Sequence, residues 1–386
     1  MLDRTFLDWP FLEARHRAIG REIEAWCQSG LADLPQDVDA ATRALVQRLA
    51  DSDWLRWVVP AGQGGMRDGL DVRAICLIRE TLARHDALAD FAFAMQGLGS
   101  APITLFGPDP MRARWLPEVA KGTAIAAFAI SEDGAGSDVA AMRTTAVRDG
   151  TDWVLDGRKT WISNAGIASF YVVFCRLPAE GEREYGAFLV EADNAGLKLA
   201  ERIDTISPHV LGSLSFEACR VPDTARIGDV GRGLRVALGT LDMFRPSVGA
   251  AALGLARRAL AEAVPWVNTR EAFGRRLSEH QMTQARIADM ALDIDAAALF
   301  VYRAAWAKDT STASVTREAA MAKLYATEAA QRVIDGAVQL LGGRGVVSGS
   351  PVERLYREVR ALRIYEGTSE IQKIVIAGSV LHEEDA

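Results

Sequence analysis

The sequence predicts an α+β protein in which a zone of strands lies between two zones of helices. Three observations predict this order: helical spacing of apolar residues over 1–122, short β-branched and aromatic segments over 123–228, and renewed helical periodicity over 229–386. A chain of 386 residues suits two or three domains. We therefore expect an N-terminal helical domain, a middle β domain and a C-terminal helical domain with these bounds.

The first zone repeats apolar residues at helical intervals. The segment "DAATRALVQRLADS" places Ala41, Leu45 and Leu49 on one face, and "DVRAICLIRETLARHD" does the same with Val72 and Ile75. Glycines and prolines interrupt the pattern at "VPAGQGG" and "LFGPDP". These features predict several helices joined by turns.

The middle zone consists of short segments rich in β-branched and aromatic residues. They are "TAIAAFAIS", "MRTTAVRDGTDWVLDGRKTWIS", "FYVVFCRL", "YGAFLVEA" and "LSFEACRVP". We interpret "RDGTD" and "LDGRK" as turns between strands. The density of strands argues against a βαβ unit, so we expect a small antiparallel sandwich or barrel.

The last zone predicts long helices over about 233–270, 278–308 and 315–341. The glycines of "LLGGRG" are suited to end the third helix. The segment "SPVERLYREVRALRI" predicts another helix, and a final short helix follows the loop "IYEGTSEIQ".

Composition argues against several classes of protein. The formal net charge of -7 provides no basic surface for nucleic acid. No segment approaches the roughly 20 continuous apolar residues of a membrane span. The first residues, "MLDRTFLDWP", resemble neither a secretory signal nor a transit peptide. We expect a soluble, cytoplasmic protein.

Neither the cysteines nor the histidines form a metal-binding pattern, so no metal site is expected. The cysteines lie far apart and fit buried thiols in a reducing compartment. They are Cys27, Cys76, Cys175 and Cys219. The histidines have no ligand spacing and are interpreted as structural or surface residues. They are His16, His85, His209, His280 and His382.

Two segments of the middle zone combine glycines, hydroxyls and an aromatic residue. "ISEDGAGSDVAAMRT" is not a Rossmann fingerprint, because the third glycine position is Val139. It is either a polar turn or a loop that presents Ser131 and Ser137 to a ligand. In "GRKTWISNAG", Trp161 and Ser163 share one face of a strand. They suit a planar heterocycle, or Trp161 belongs to the core.

Two segments of the last zone are equally ambiguous when taken alone. "NTREAFGRRLSEHQ" places Arg270 beside a glycine-broken helix end, which fits either an anion site or a solvated surface turn. In "IYEGTSEIQ", Glu366 lies between an aromatic residue and a glycine. It is either part of a simple turn or a base held in a strained, dry position.

The order of these segments is more specific than any one of them. "AISEDGAGSDVAAMRTTA", "VLDGRKTWISNAG", "EACRVP", "REAFGRRLSEHQ", "VQLLGGRG" and "LYREVRALRIYEGTSEIQ" follow one another in register. With them the chain resembles the acyl-CoA dehydrogenase family over nearly its whole length, most closely from about residue 125 onward. The resemblance implies that the C-terminal domain is a four-helix bundle. It also implies FAD bound without a Rossmann fold, an acyl-CoA substrate, an electron-transfer flavoprotein as acceptor, and a homotetramer built as a dimer of dimers.

The resemblance also implies roles for individual residues. Glu366 would be the base that removes the α-proton of a thioester, with FAD taking the β-hydride to give the trans-2-enoyl-CoA. Its backbone N–H would stabilise the thioester oxygen. The implied FAD contacts are Ser131, Ser137, Trp161, Ser163, Arg270, Phe273, Gln281, Gln339, Gly342, Gly343, Thr368 and Glu370. The implied substrate contacts are Ser137, Asp242, Phe244, Arg245, Tyr365 and Gly367.

Several readings within and beyond this family stay open. Some relatives carry the base at the position of Phe244, which cannot accept a proton, so the role falls to Glu366. Phe244 also favours a short, branched or cyclic acyl group, with a pocket floor around "FAFAMQGLGSAP". The same fold could serve an oxidase, an enoyl-thioester reductase or an enzyme acting on a carrier-bound acyl group. A non-enzymatic scaffold is the alternative from another class.

Overall fold

The computed structural model describes residues 5–178 and 184–381, so His382 lies outside the described residues. Helices occupy both ends of the described chain, and strands occupy its middle. The helices are α1 (Ala14–Gly30), α2 (Val38–Asp51), α3 (Val72–His85), α4 (Ala87–Phe106), α5 (Asp109–Ala120), α6 (Gly233–Thr269), α7 (Gln281–Thr310), α8 (Thr316–Leu341), α9 (Pro351–Leu362) and α10 (Ser369–Leu381). The strands are β1 (Ala126–Ala129), β2 (Thr145–Asp149), β3 (Asp152–Ser163), β4 (Phe170–Leu177), β5 (Glu184–Glu191), β6 (Leu197–Arg202), β7 (Leu211–Pro222), β8 (Glu271–Ala272) and β9 (Arg275–Arg276).

The chain divides into two compact units. The first unit comprises Met1–Gly30, Val72–Asp90 and Asp242–Ala386, and the second comprises Leu31–Asp71 and Phe91–Leu241. The predicted order of helices, strands and helices is confirmed. The domain bounds 1–122, 123–228 and 229–386 stay a prediction, because they mark where the spacing of apolar residues along the sequence changes, not where contacts between residues become few.

The first unit is helical and is built on small side chains. Its core is lined largely by alanines of α6, α7 and α8, and α8 packs against α7, α9 and α10. Small residues let the helices approach closely. A Cβ on Gly254 of α6 would lie 2.1 Å from the backbone oxygen of Glu80 on α3. Glycine is therefore required where these two helices cross.

The second unit contains a seven-stranded sheet in which β4 is the most buried strand. The order is β1-β4-β2-β3-β7-β6, and β5 also pairs with β4. Six residues in a row are buried in β4, from Phe170 to Cys175, as expected for a strand covered on both faces. Most neighbours are antiparallel, as predicted, but β1 and β2 each pair with β4 in parallel.

One local prediction in this sheet is wrong, and one strand was not predicted. "LDGRK" does not end a strand: β3 continues through it, with a register shift between Leu155 and Gly157 against β7. The glycine serves a β-bulge rather than a turn. The sequence reasoning also missed β6, where five of the six residues, Lys198 to Arg202, are exposed. A strand of this kind lacks the apolar alternation on which the prediction relied.

The long helices of the last zone begin and end close to the predicted positions. The third predicted helix ends at Leu341, and Gly342 follows with φ +59°. Among the described residues, no helix combines the length and the apolar character that crossing a membrane demands.

Candidate active site

The loop between α9 and α10 has a strained backbone at its centre. Glu366 has φ +53° and Gly367 has φ +92°, so two successive residues adopt left-handed conformations. Such a conformation costs a residue with a Cβ roughly 1–2 kcal/mol. Glu366 is therefore held by its surroundings at a conformation that it would not choose alone, which is typical of functional sites.

Two buried side chains hold this loop through its backbone. Lys323 Nζ on α8 donates a hydrogen bond to the carbonyl oxygen of Gly367 at 2.7 Å. Gln372 Nε2 on α10 donates to the same oxygen at 3.0 Å and to the carbonyl of Glu366 at 3.4 Å. Both side chains belong to residues with no solvent exposure. The left-handed turn is thus fixed from α8 and from α10.

The ends of the loop are closed by a second set of bonds. The backbone N–H of Ser369 donates to the carbonyl of Arg363 at 3.1 Å. Both side chains also bond to one carboxylate oxygen of Glu328, Ser369 Oγ at 2.5 Å and Arg363 Nε at 2.9 Å. Glu328 therefore connects the two ends of the loop to α8.

The side chain of Glu366 is half-buried. Its Oε2 is buried and has no hydrogen-bond partner within the described ranges. Its backbone N–H likewise donates no bond to any residue that the structure describes. A hydrogen-bond acceptor and a hydrogen-bond donor of one residue thus remain unpaired among the described residues.

Charges around Glu366 act in opposite directions. Burial raises the pKa of Glu366 above its ordinary value of 4.5, and Asp90 adds to this effect. The positive charges of Arg79, Lys323 and Arg245 act to lower the same pKa. The net shift is upward, so the group is a stronger base than a glutamate in water.

Two of these cations are neutralised by their own carboxylates. Arg79 forms a bidentate pair with Asp90 at 2.8 and 2.9 Å and donates a third bond to Ser247 Oγ at 2.9 Å. Arg245 bonds to Asp242 at 2.5 Å. The structure thus places one buried and one partly buried ion pair beside the loop.

The predicted substrate residues of the first unit fall into two groups. Arg245 and Tyr365 belong to the electrostatic surroundings of Glu366, and burial raises the pKa of Tyr365 above its ordinary value. Asp242 is bonded to Arg245 and also accepts a bond from Thr316 Oγ1 at 2.8 Å. Phe244 is 1% exposed, so its ring lies in the interior.

In the second unit, the loop that carries Ser131 is pinned by a buried ion pair. Glu132 accepts bonds from Lys159 Nζ at 2.7 Å and from the backbone N–H groups of Arg143 and Thr144 at 2.6 and 3.0 Å. Burial alone would raise the pKa of Glu132, but Lys159 and these donors hold it below its ordinary value. These bonds hold the base of the loop, while Ser137 is exposed.

Trp161 does not belong to the core. Its side chain is 58% exposed and its backbone has φ +59°. The ladder between β3 and β7 shifts register between Lys159 and Ile162. The regular alternation that predicted a shared face for Trp161 and Ser163 is therefore interrupted at this bulge. Ser163 itself is half-buried and pairs with Leu211.

The predicted anion segment forms a tight hairpin rather than a broken helix end. Strands β8 and β9 pair around Phe273 and Gly274, with φ +53° and +77°. Two left-handed residues are typical of a type I′ turn, where a phenylalanine is strained. Phe273 is 97% exposed, and Arg270 and Gln281, which flank the hairpin, are also exposed.

The other predicted cofactor contacts of the first unit lie at helix ends. Gln339 is exposed in the last turn of α8. Gly342 and Gly343 follow, and an added Cβ would meet no atom within 4 Å at either. Thr368 Oγ1 accepts the backbone N–H of Ile371 at 3.4 Å, so it caps α10 weakly. Glu370 is exposed in the first turn of that helix.

Sequence reasoning missed four residues that surround Glu366. They are Arg79, Asp90, Lys323 and Gln372. The available signal was a charge on an apolar helical face. Lys323 lies in line with Ala319, Ala326 and Ala330, which are all buried, so the sequence pattern itself marks a buried lysine.

Comparison with protein families covers almost the whole chain. Three family models match in order: "Acyl-CoA dehydrogenase, N-terminal domain" over residues 13–123, the "middle domain" over 127–219 and the "C-terminal domain" over 231–381. The chain belongs to the acyl-CoA dehydrogenase family. The predicted resemblance, fold and enzyme class are thereby confirmed.

Individual relatives give the same result. The human mitochondrial short-chain specific acyl-CoA dehydrogenase is 41% identical over 344 residues, covering 88% of this chain and 82% of that protein. The structure of butyryl-CoA dehydrogenase from Megasphaera elsdenii is 30% identical, with a TM-score of 0.89 over 96% of this chain and 99% of that one. An acyl-CoA dehydrogenase from Bacillus anthracis, complexed with FAD, is 27% identical, with a TM-score of 0.87 over 100% of this chain and 71% of that one.

Proposed function

We propose that this protein is an FAD-dependent acyl-CoA dehydrogenase that forms trans-2-enoyl-CoA, with Glu366 as the base. One observation carries this proposal: a glutamate in a left-handed loop, with a buried unpaired Oε2 and a free backbone N–H. A simple surface turn would not require a carboxylate oxygen that is buried without a hydrogen-bond partner. The raised pKa of Glu366 also suits a base that works near neutral pH.

Each unit, taken by itself, presents residues that suit a flavin. Trp161 offers an exposed aromatic face on a strained backbone, and Gly134 and Gly136 leave the neighbouring loop open, since an added Cβ would meet no atom within 4 Å. In the first unit, Phe273 is exposed on a strained hairpin tip beside Arg270. Strained, exposed aromatic residues are explained by a ligand or a partner chain.

The residues proposed to hold FAD are those predicted from the sequence. They are Ser131, Ser137, Trp161, Ser163, Arg270, Phe273, Gln281, Gln339, Gly342, Gly343, Thr368 and Glu370. FAD, when bound, supplies the acceptor for the β-hydride. The protein supplies position and electrostatics.

In the proposed mechanism, the chain handles the proton and the thioester oxygen. Glu366 takes the α-proton onto its carboxylate, because burial favours the neutral form of the group. The free N–H of the same residue donates to the thioester oxygen as negative charge develops there. One donor of this kind lowers a barrier by about 3 kcal/mol.

The proposed substrate and partners follow the resemblance. Asp242, Phe244, Arg245, Tyr365, Gly367 and Ser137 are the proposed substrate contacts. We propose a short, branched or cyclic acyl group, supported by the similarity to short-chain and butyryl-CoA dehydrogenases. The proposed electron acceptor is an electron-transfer flavoprotein, the proposed assembly is a homotetramer, and the proposed location is the cytoplasm.

The base assignment is tested by Glu366→Gln. This variant keeps the shape of the side chain and removes the proton acceptor, so we expect the flavin to be retained and dehydrogenation to fall about 10²–10⁴-fold. Glu217→Gln on β7 is the control, since the side chain of Glu217 is exposed and, within the described part of the chain, pairs only with Lys198 at 2.8 Å. A Glu366→Gln variant with wild-type turnover would refute the assignment.

The substrate class is tested by anaerobic titration with a panel of acyl-CoA thioesters while flavin absorbance is followed. Bleaching by one class establishes the α,β-dehydrogenation and names the acyl group. A flavin that no CoA ester bleaches, but that the same acyl group bleaches when carrier-bound, would replace CoA by a carrier protein. A purified protein that contains no flavin would favour the alternative that the chain is a non-enzymatic scaffold.

The proposed base predicts that kcat/KM falls at acidic pH. Glu366 must be ionised to accept a proton, and its pKa lies above 4.5. Activity should therefore fall as pH falls through this raised pKa, with the acid limb of kcat/KM above pH 4.5. A kcat/KM that stays constant down to the ordinary range of glutamate would contradict the raised pKa.

A further inference from the structure

Lys323 is a buried lysine that the proposed reaction does not yet use. It lies on α8 with 0% exposure, among alanines, and lysine is almost never fully buried unless it is paired. The only hydrogen bond that its Nζ makes to the described residues is the one to Gly367 O, at 2.7 Å. This carbonyl belongs to the residue after Glu366.

Of the three cations that act on Glu366, Lys323 is the one that forms no ion pair with another carboxylate among the described residues, although Arg79 has the larger effect on Glu366. Arg79 is bonded to Asp90 and Arg245 is bonded to Asp242, so each of these cations has a carboxylate of its own. Lys323 bonds to a neutral carbonyl instead. Among the acidic groups that act on Lys323, Glu366 has the largest effect.

Charged groups on several neighbouring elements act on the pair. The groups that act on Glu366 are Arg79 on α3, Asp90 on α4, Arg245 on α6 and Lys323 on α8. The groups that act on Lys323 are Glu366, Arg245, Glu328 and Glu370. Burial is the main cause that lowers the pKa of Lys323 to about 8. Its ammonium is therefore present below that pH, where Glu366 must ionise.

We infer that Lys323 is a positioning residue for the base: its ammonium fixes the Gly367 carbonyl and stabilises the ionised carboxylate of Glu366. The inference rests on the proposed function. The bond to Gly367 O holds the left-handed pair of residues, and thereby aims both the carboxylate and the free N–H of Glu366. The charge opposes the burial that would otherwise keep Glu366 protonated.

Gln372 allows the effect of the hydrogen bond to Gly367 O to be separated from the effect of the lysine charge. It donates to the same carbonyl at 3.0 Å but carries no charge. Gln372→Leu removes one donor to the loop, whereas Lys323→Met removes one donor and the cation. Lys121→Met is the control for loss of a lysine, because Lys121 is 65% exposed and pairs only with Glu118 among the described residues.

The experiment measures three quantities on the flavin-loaded variants. They are the melting temperature, the pH profile of kcat/KM, and the exchange of the thioester α-proton with D₂O followed by NMR. Exchange reports proton abstraction by Glu366 without the electron acceptor. For Lys323→Met we expect the acid limb to move up by about 1 pH unit or more. We also expect kcat to fall about 10- to 100-fold.

Gln372→Leu should slow turnover and exchange without moving the acid limb, and Lys121→Met should change neither. An acid limb of Lys323→Met that coincides with that of the wild type overturns the inference. Should Lys323→Met fail to fold, Lys323→Gln removes the charge and keeps a donor, and an unmoved limb in that variant overturns it equally. A wild type without exchange or dehydrogenation would instead refute the proposed function.

Discussion

Gly367→Ala is the sharpest test of the loop as an active element. Gly367 has φ +92°, and a Cβ added there would lie 2.5 Å from Gln372 Nε2. The left-handed backbone costs a residue with a Cβ about 1–2 kcal/mol. Displacing Gln372 also weakens its bonds to the carbonyls of Glu366 and Gly367, at about 0.5–1.5 kcal/mol each. The total is about 2–5 kcal/mol.

This strain can be relieved in two ways, and the assays distinguish them. If the loop rearranges, the population with Glu366 in place falls, and about 2–5 kcal/mol corresponds to a loss of about 30- to 5000-fold in kcat. If the loop holds its shape, the same energy appears as a lower free energy of unfolding in a denaturant titration. Turnover, α-proton exchange and unfolding should therefore be measured on the same preparation.

Gly378→Ala is the matched control within α10. An added Cβ at Gly378 meets no atom within 4 Å, and glycine in a helix interior is less stable than alanine by about 1 kcal/mol. This variant should keep full activity and melt at the same or a higher temperature. Wild-type turnover together with wild-type stability in Gly367→Ala would refute the argument that the left-handed loop is required.

Three further substitutions test the surroundings of the proposed sites. Arg79→Met removes the cation bonded to the buried Asp90 and should lower the free energy of unfolding by about 3–5 kcal/mol; a smaller loss in denaturant titration would show that the pair contributes little. Lys159→Met leaves the carboxylate of Glu132 buried without its cation, so it should lower the free energy of unfolding by a similar amount and weaken FAD retention on gel filtration. Unchanged retention would show that this ion pair does not support flavin binding. Trp161→Ala should change the free energy of unfolding of the flavin-free protein by no more than about 0.5 kcal/mol, because the ring is 58% exposed, while FAD affinity falls; equal affinity would remove Trp161 from the flavin site.

The sequence was informative where one segment determines its own structure. Helical periodicity located α6, α7 and α8 to within about three residues, and the terminal glycines of "LLGGRG" marked the end of α8. The fold order and the glutamate loop were recognisable in the same way, whereas the hairpin at Phe273 was predicted as a broken helix end. Each depends on residues that are close in sequence.

The remaining features depend on contacts between distant segments. Strand β6 is exposed on most of its length and is defined by its pairing with β7, so local hydrophobicity does not reveal it. The bond between Lys323 and Gly367 spans 44 residues. The sequence places a lysine on an apolar face but cannot name the group that it meets. Buried charges are therefore the part of the site that only the structure could supply.

Two adjacent left-handed residues explain why the base lies in a loop rather than on a helix. In a regular helix, the N–H of Glu366 would be bonded to a carbonyl of the preceding turn. The reversal at Glu366 and Gly367 leaves that N–H free and turns the Gly367 carbonyl towards Lys323. The positions of the Glu366 carboxylate, its N–H and the Lys323 ammonium thus all depend on the φ and ψ angles of Glu366 and Gly367. A change that relaxes this backbone should therefore impair all three together, which is why strain persists here.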